Sequence, residues 1–196
     1  MSDHLKTLYE EICRTHNGIA EFRAKLLALF PLASGASVFV LIGNKNFAAE
    51  NIHLLFPIGV FGAMITLGLY FYELRGIQNC AGLISCAKIL EKSMIPKELA
   101  GFGAFNIKLP SALKGIVGVR GASLIIYSTV LATWAYTANI GFTGSTESQT
   151  GGLICSTTVF VFAILFGWIV TDQYKSRLDE TIKQHLDKNN PNSEIE

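Results

Sequence analysis

Charged residues are scarce in this chain. They make up 16% of its 196 residues, while 50% are hydrophobic and mean hydropathy is +0.39. Soluble domains average about 25% charged residues, so an ordinary soluble domain of this size is excluded. No excess of one sign compensates, because 16 Lys and Arg against 15 Asp and Glu leave a net charge of +1. The basic surface that nucleic-acid binding needs is missing, and no direct nucleic-acid binding is expected. There is no C-x-x-C pair among Cys13, Cys80, Cys86 and Cys155, and neither a zinc ribbon nor a disulfide framework follows from their spacing. They read as packing residues.

Other signatures of chemistry are missing too. His4, His16, His53 and His185 are scattered, which speaks against a metal site. The Gly101-Phe-Gly103 run has no preceding strand and no following Gly-Lys-Ser/Thr, so it is not a phosphate loop. No serine or cysteine comes with a base and an orienting partner. The sequence thus offers no catalytic residue, no cofactor site and no metal site, and the chain reads as a non-enzyme.

What is present is a set of apolar runs. Four stretches, 26–43, 54–72, 121–140 and 153–171, contain no Asp, Glu, Lys, Arg or His. They predict an all-α membrane protein with four transmembrane helices and cytoplasmic helical extensions. Ionisable groups within a membrane commonly mark proton relays, so their absence argues against a proton-coupled transporter. The 26–32 run followed by Ala33-Ser-Gly-Ala36 has the look of a signal-peptide end, but the preceding residues are too many and too acidic, and an uncleaved first span is expected.

The division along the chain follows. Residues 1–25 form an amphipathic cytoplasmic helix whose seam is Leu5, Leu8, Ile12, Thr15, Ile19, Phe22 and Leu26. Residues 26–72 are a first transmembrane hairpin, with Pro31 positioned to kink its first span and a short external loop at 44–53. The second span carries small-x-x-x-small pairs at Gly59/Ala63 and Gly62/Thr66. Residues 73–120 are a basic cytoplasmic segment holding Arg75, Lys88, Lys92, Lys97, Lys108, Lys114 and Arg120. Its first part continues as a helix to about Met94, and the charge-free face between Gly76 and Ala87 is expected to be buried. Its second part, 99–119, reads equally as an interfacial re-entrant stretch or as two short strands, 105–109 and 115–119. Residues 121–171 are the second hairpin, and 172–196 a C-terminal helix and polar tail. All of the basic residues except Lys45 fall in the segments placed on one side, which predicts cytoplasmic termini.

Two groups of residues stand out. Thr129, Thr133 and Thr137 lie near one face of the third span, with Ala163 and Gly167 in the fourth, as a pore-lining or helix-packing face. The hydroxyls can equally bond to their own helix. Arg23, Glu73, Arg75, Arg120 and Asp172 gather at the inner membrane edge, either snorkelling to headgroups or pairing into a cytoplasmic collar. A faint repeat relates the halves: Val60-Phe61, Gly68 and Glu73 match Val159-Phe160, Gly167 and Asp172, and Arg23 matches Arg120.

The run Glu21-Phe-Arg-Ala-Lys-Leu-Leu with Pro31-Leu-Ala-Ser-Gly, and the run Tyr72-Glu-Leu-Arg-Gly-Ile-Gln-Asn-Cys80 ending in Leu90-Glu91, resemble stretches of small bacterial membrane proteins. The layout is similar to multi-pass proteins of antiphage and CRISPR-associated loci, including the SLATT type. The resemblance implies a bacterial inner-membrane sensor or pore-forming subunit of a defence system. It would contact membrane lipid and work with a cytoplasmic effector protein. The small-residue faces and the charge-free cytoplasmic helix suggest a homo-oligomer. A small ion channel or transporter, and a membrane scaffold recruiting a cytoplasmic protein, are the alternatives.

Overall fold

A computed structural model describes residues 3–43, 51–94, 105, 119–144 and 149–188. Four long helices carry nearly all of them: α1 (Asp3–Gly43), α2 (Leu55–Met94), α3 (Val119–Thr143) and α4 (Gln149–Lys188). A single 3-10 turn, Ile52–Leu54, leads into α2. The all-α expectation holds, and among the described residues there is no strand. Phe105 lies in a turn and Val119 opens α3; the rest of the proposed strand pair lies outside the described residues.

The amphipathic segment and first span are one helix, as the unbroken sequence between them allows, and it continues through Pro31. The fourth span and the C-terminal helix are likewise one helix, because nothing between Trp168 and Lys175 breaks the hydrogen-bond ladder. Helix α2 runs past Glu73 to Met94, as the sequence indicated. Among the described residues two helical stretches, not four, are long and apolar enough to cross a membrane: Ile52–Met94 and Thr150–Gln184, whose most apolar windows have mean hydropathy 2.0 and 2.4. Helix α3 falls short because its hydroxyl residues dilute its apolar ones. In α1 the side chains from Leu29 onward lie outside the described set.

Helix α3 is the central element. It packs along both α2 and α4, whereas α1 lies against α2 and more lightly against α3. The main core is Tyr70, Leu74, Leu124, Tyr127, Leu131 and Ala163, contributed by three helices. Within it the Tyr70 hydroxyl donates to the Ala163 carbonyl at 2.7 Å, which satisfies the only polar atom that this ring brings inside. Close approach depends on glycine. A Cβ on Gly59 would lie 2.5 Å from the Ala138 nitrogen, one on Gly62 would strike the Trp134 ring, and one on Gly167 would strike the Tyr70 hydroxyl and Leu124. The small-residue faces, read from the sequence as a reason to expect oligomers, are therefore occupied within the chain. After Thr143, Gly144, with φ of 64°, closes α3, its N–H donating to the Ile140 carbonyl at 3.1 Å.

Candidate functional site: a buried ionic junction

Helix α2 carries two buried carboxylates, Glu73 (0% exposed) and Glu91 (2%). They are 18 positions apart, which is about five helical turns, so both sit on one face of α2. Gly76, Cys80 and Ala87 share that face and are buried with them. Helix α1 answers with polar residues at heptad spacing: Tyr9, His16 and Arg23. The seam of α1 is thus rotated from the one that apolar periodicity indicated. Leu8 and Phe22 are about half exposed and Thr15 is exposed, while Arg23 is buried. A search for apolar residues passes over positions that are buried because they are paired.

Arg23 and Glu73 form the centre of the junction. Glu73 Oε1 accepts from Arg23 Nε at 3.0 Å and from Nη2 at 2.6 Å, and from the Ser123 hydroxyl of α3 at 2.7 Å. Arg23 Nη1 points to Cys80 Sγ at 3.8 Å. Gly76 makes room for the guanidinium stem, since a Cβ there would lie 2.9 Å from Arg23 Cδ. Glu73 Oε2 is buried and has no hydrogen-bond partner among the described residues. Burial works against the Arg23 charge, but the hydrogen bonds and field of Glu73 outweigh it and raise the guanidinium pKa. One carboxylate oxygen therefore ties three helices together where α1 and α2 leave the apolar region.

The second junction is fastened by neutral and charged groups together. The Tyr9 hydroxyl donates to Glu91 Oε1 at 2.8 Å, and the Phe105 N–H donates to the same oxygen at 3.0 Å. The Phe105 ring stands edge-on to Tyr9 and His16. Burial first, and the bond to Glu91 second, raise the Tyr9 pKa above its ordinary value near 10. Because the raised group is an acid kept neutral by folding, its contribution is complete below pH 10 and is lost as pH rises beyond that. The thermal midpoint should therefore fall more steeply above about pH 10 in the wild type than in Tyr9→Phe. Parallel slopes would show that Tyr9 does not fasten α1.

The other collar residues separate. Arg120 donates to the Trp168 carbonyl at 2.8 Å, stacks 4.7 Å over the Trp168 ring, and stands 3.9 Å from Asp172. Arg75 is exposed and reaches Gln78 on its own helix at 3.4 Å. Pairing thus runs Arg23 to Glu73 and Arg120 to Asp172, each within one hairpin, and each half of the faint repeat has its own clasp. The first is dry and tight. The second is open, with the Asp172 side chain 69% exposed.

The threonine face does not come together with these groups. Thr129, Thr133 and Thr137 each donate to the carbonyl four residues earlier on α3, at 2.8, 2.9 and 2.9 Å. Ala163 is in the main core, and Gly167 abuts it. The residues that sequence reasoning missed are Tyr9, Glu91 and Cys80, and the heptad Tyr9–His16–Arg23 was the available signal. Set beside known proteins, the chain matches no family model, no curated protein and no solved structure.

Proposed function

We propose that this is a four-span protein of the bacterial inner membrane that works as a sensor, passing a change in the bilayer to helices on the cytoplasmic side. The observation that carries the reading is the continuity of α2 through the ionic junction. Its 40 residues extend about 60 Å, twice the roughly 30 Å hydrocarbon core of a bilayer. Helix α4 has the same length and runs on to Lys188. A displacement of either helix within lipid is delivered directly to its aqueous half. Four spans are supported by the enclosure of α3 between the two apolar helices and by the apolar second half of α1. Cytoplasmic termini are supported by the one-sided distribution of Lys and Arg.

A sensor is favoured over a standing pore because the three α3 threonines turn their donors to their own backbone, and the centre of the helices is filled by Tyr70, Tyr127 and Leu131. The defence setting and a cytoplasmic effector rest on the resemblance of the 21–35 and 72–91 runs. Membrane potential read with a voltage-sensitive dye, before and after phage infection, tests the reading. Protection against phage without depolarisation in either condition is expected, and depolarisation confined to infected cells would favour a gated pore. Depolarisation on expression alone would favour a channel, and no change together with no protection against phage would remove the proposal. Topology is checked separately. Cys86, exposed on the aqueous half of α2, should react with a membrane-impermeant maleimide only after the cells are opened, whereas Lys45→Cys should react in intact cells.

A further inference from the structure

Helices α2 and α4 meet at the Tyr70–Ala163 hydrogen bond and separate toward the outer end, leaving a groove of about 660 Å³ floored by α3. Its rims are Met64 and Phe71 on one side and Phe162 and Phe166 on the other, and its floor includes Leu131 and Trp134. We propose that this groove holds one acyl chain of a membrane lipid, and that its occupancy sets the spacing of α2 and α4. The proposal rests on the reading that these helices lie in a bilayer.

Three observations select a hydrocarbon chain. The first is charge. No Asp, Glu, Lys, Arg or His lines the groove, and its hydroxyls are engaged, Tyr70 by Ala163 and Thr158 by the Ile154 carbonyl at 2.8 Å. A polar ligand would lose its water and gain no partner. The second is length. From Gly59 to Phe71 the groove follows α2 for about 18 Å, close to one leaflet's share of a roughly 30 Å core. The third is the character of the rims. Helices in lipid associate through small residues that let backbones approach. Here Gly59 and Gly62 are already used against Ala138 and Trp134, while Met64 and Phe162 stand 68% and 69% exposed. Bulky, exposed rims suit a flexible chain better than a second helix.

The groove is coupled to the ionic junction. Tyr70 lines its inner end, and Glu73 follows Tyr70 by one turn of α2. A chain entering or leaving the wedge tilts α2 about the Tyr70–Ala163 contact and moves the carboxylate that holds Arg23. The quantity sensed is then lipid-chain packing.

The chain has two tryptophans, and they divide the test. Trp134 is 8% exposed and borders the groove, whereas Trp168 is 39% exposed at the inner edge. The full chain, as Trp168→Phe and as Trp134→Phe, would be placed in phosphatidylcholine vesicles with plain or chain-brominated lipids, since bromine quenches indole emission on contact. Loss of most Trp134 emission is expected, together with its recovery when the groove is filled by Ala63→Leu and Ala135→Leu. Met64→Cys capped with a bulky maleimide after folding blocks the groove without challenging assembly, and should give the same recovery. Trp134 left bright while Trp168 is quenched would overturn the proposal and indicate that another helix, such as one from a second copy, covers the groove. Quenching that survives both blocks would overturn it as well. If neither tryptophan is quenched, the protein is not in the bilayer, and the membrane reading itself fails.

Discussion

Replacing Arg23 with Met while Glu73 remains should destabilise the protein by about 3–5 kcal/mol, the usual result of leaving one member of a buried ion pair alone. Glu73 is fully buried, and two of the three hydrogen bonds to its Oε1 come from Arg23. Ser123 alone cannot compensate a carboxylate in that setting. Glu73→Gln is expected to cost less, because the amide oxygen still accepts from Arg23, although it leaves the guanidinium charge unbalanced. Removing both, as Arg23→Met with Glu73→Leu, should recover most of the loss, since an apolar pair of similar volume is often neutral or better than a buried salt bridge. A thermodynamic cycle in detergent micelles, read by thermal unfolding, measures the coupling. A single Arg23→Met variant that unfolds like the wild type would show that the pair is not formed. The pairing can also be told apart from a contact between Arg120 and Glu73, because Arg120→Met should leave the cycle unchanged.

The second large effect concerns the seam between α2 and α3. Gly59→Val is expected to cost about 1–3 kcal/mol or somewhat more through overpacking. The atoms in the way are the Ala138 nitrogen and Cα at 2.5 and 2.8 Å, and backbone cannot swing aside as a side-chain tip can. The two helices would have to part along their length. Gly68 provides the control on the same helix, because a Cβ there meets nothing within 4 Å. Gly68→Ala should stabilise by roughly 0.5–1 kcal/mol from helix propensity alone. Opposite signs for two glycines nine residues apart are the outcome to look for in thermal unfolding. A loss at both would mean that propensity and packing have been apportioned wrongly.

The hairpins, the helical continuation to Met94 and the value of small residues could be read from residues in order, because each depends on local composition. Gly59, Gly62 and Gly167 stood in small-residue patterns, and each is used where helices touch. The rotation of α1 could not be read that way. Its inward face contains Arg23, which is buried, and Tyr9 and His16, which are partly buried; any hydropathy count places all three in water, and only the partners on α2 turn that face inward. The Arg23 partner was likewise beyond sequence reading. Arg23, Glu73, Arg75, Arg120 and Asp172 all stand out as charges flanking the apolar runs, but charge alone does not say which cation meets which carboxylate. The third and fourth helices were cut at 140, 153 and 171 because hydropathy changes there, whereas the backbone ladder continues until something breaks it. The inner core shows the same limit, since the Tyr70 hydroxyl reaches a carbonyl 93 positions away.

The heptad of Tyr9, His16 and Arg23 against Glu91 and Glu73 also limits how α1 can travel. A slide of one residue along α2 would turn the polar row away and strand two carboxylates in an apolar seam. A slide of seven residues, about 10.5 Å, would bring His16 opposite Glu73 but carry Tyr9 away from Glu91, so no neighbouring register satisfies both carboxylates. Helix α1 is keyed to α2 at two points, as a key is held by more than one tooth, and leaving that register means separating a buried charge pair.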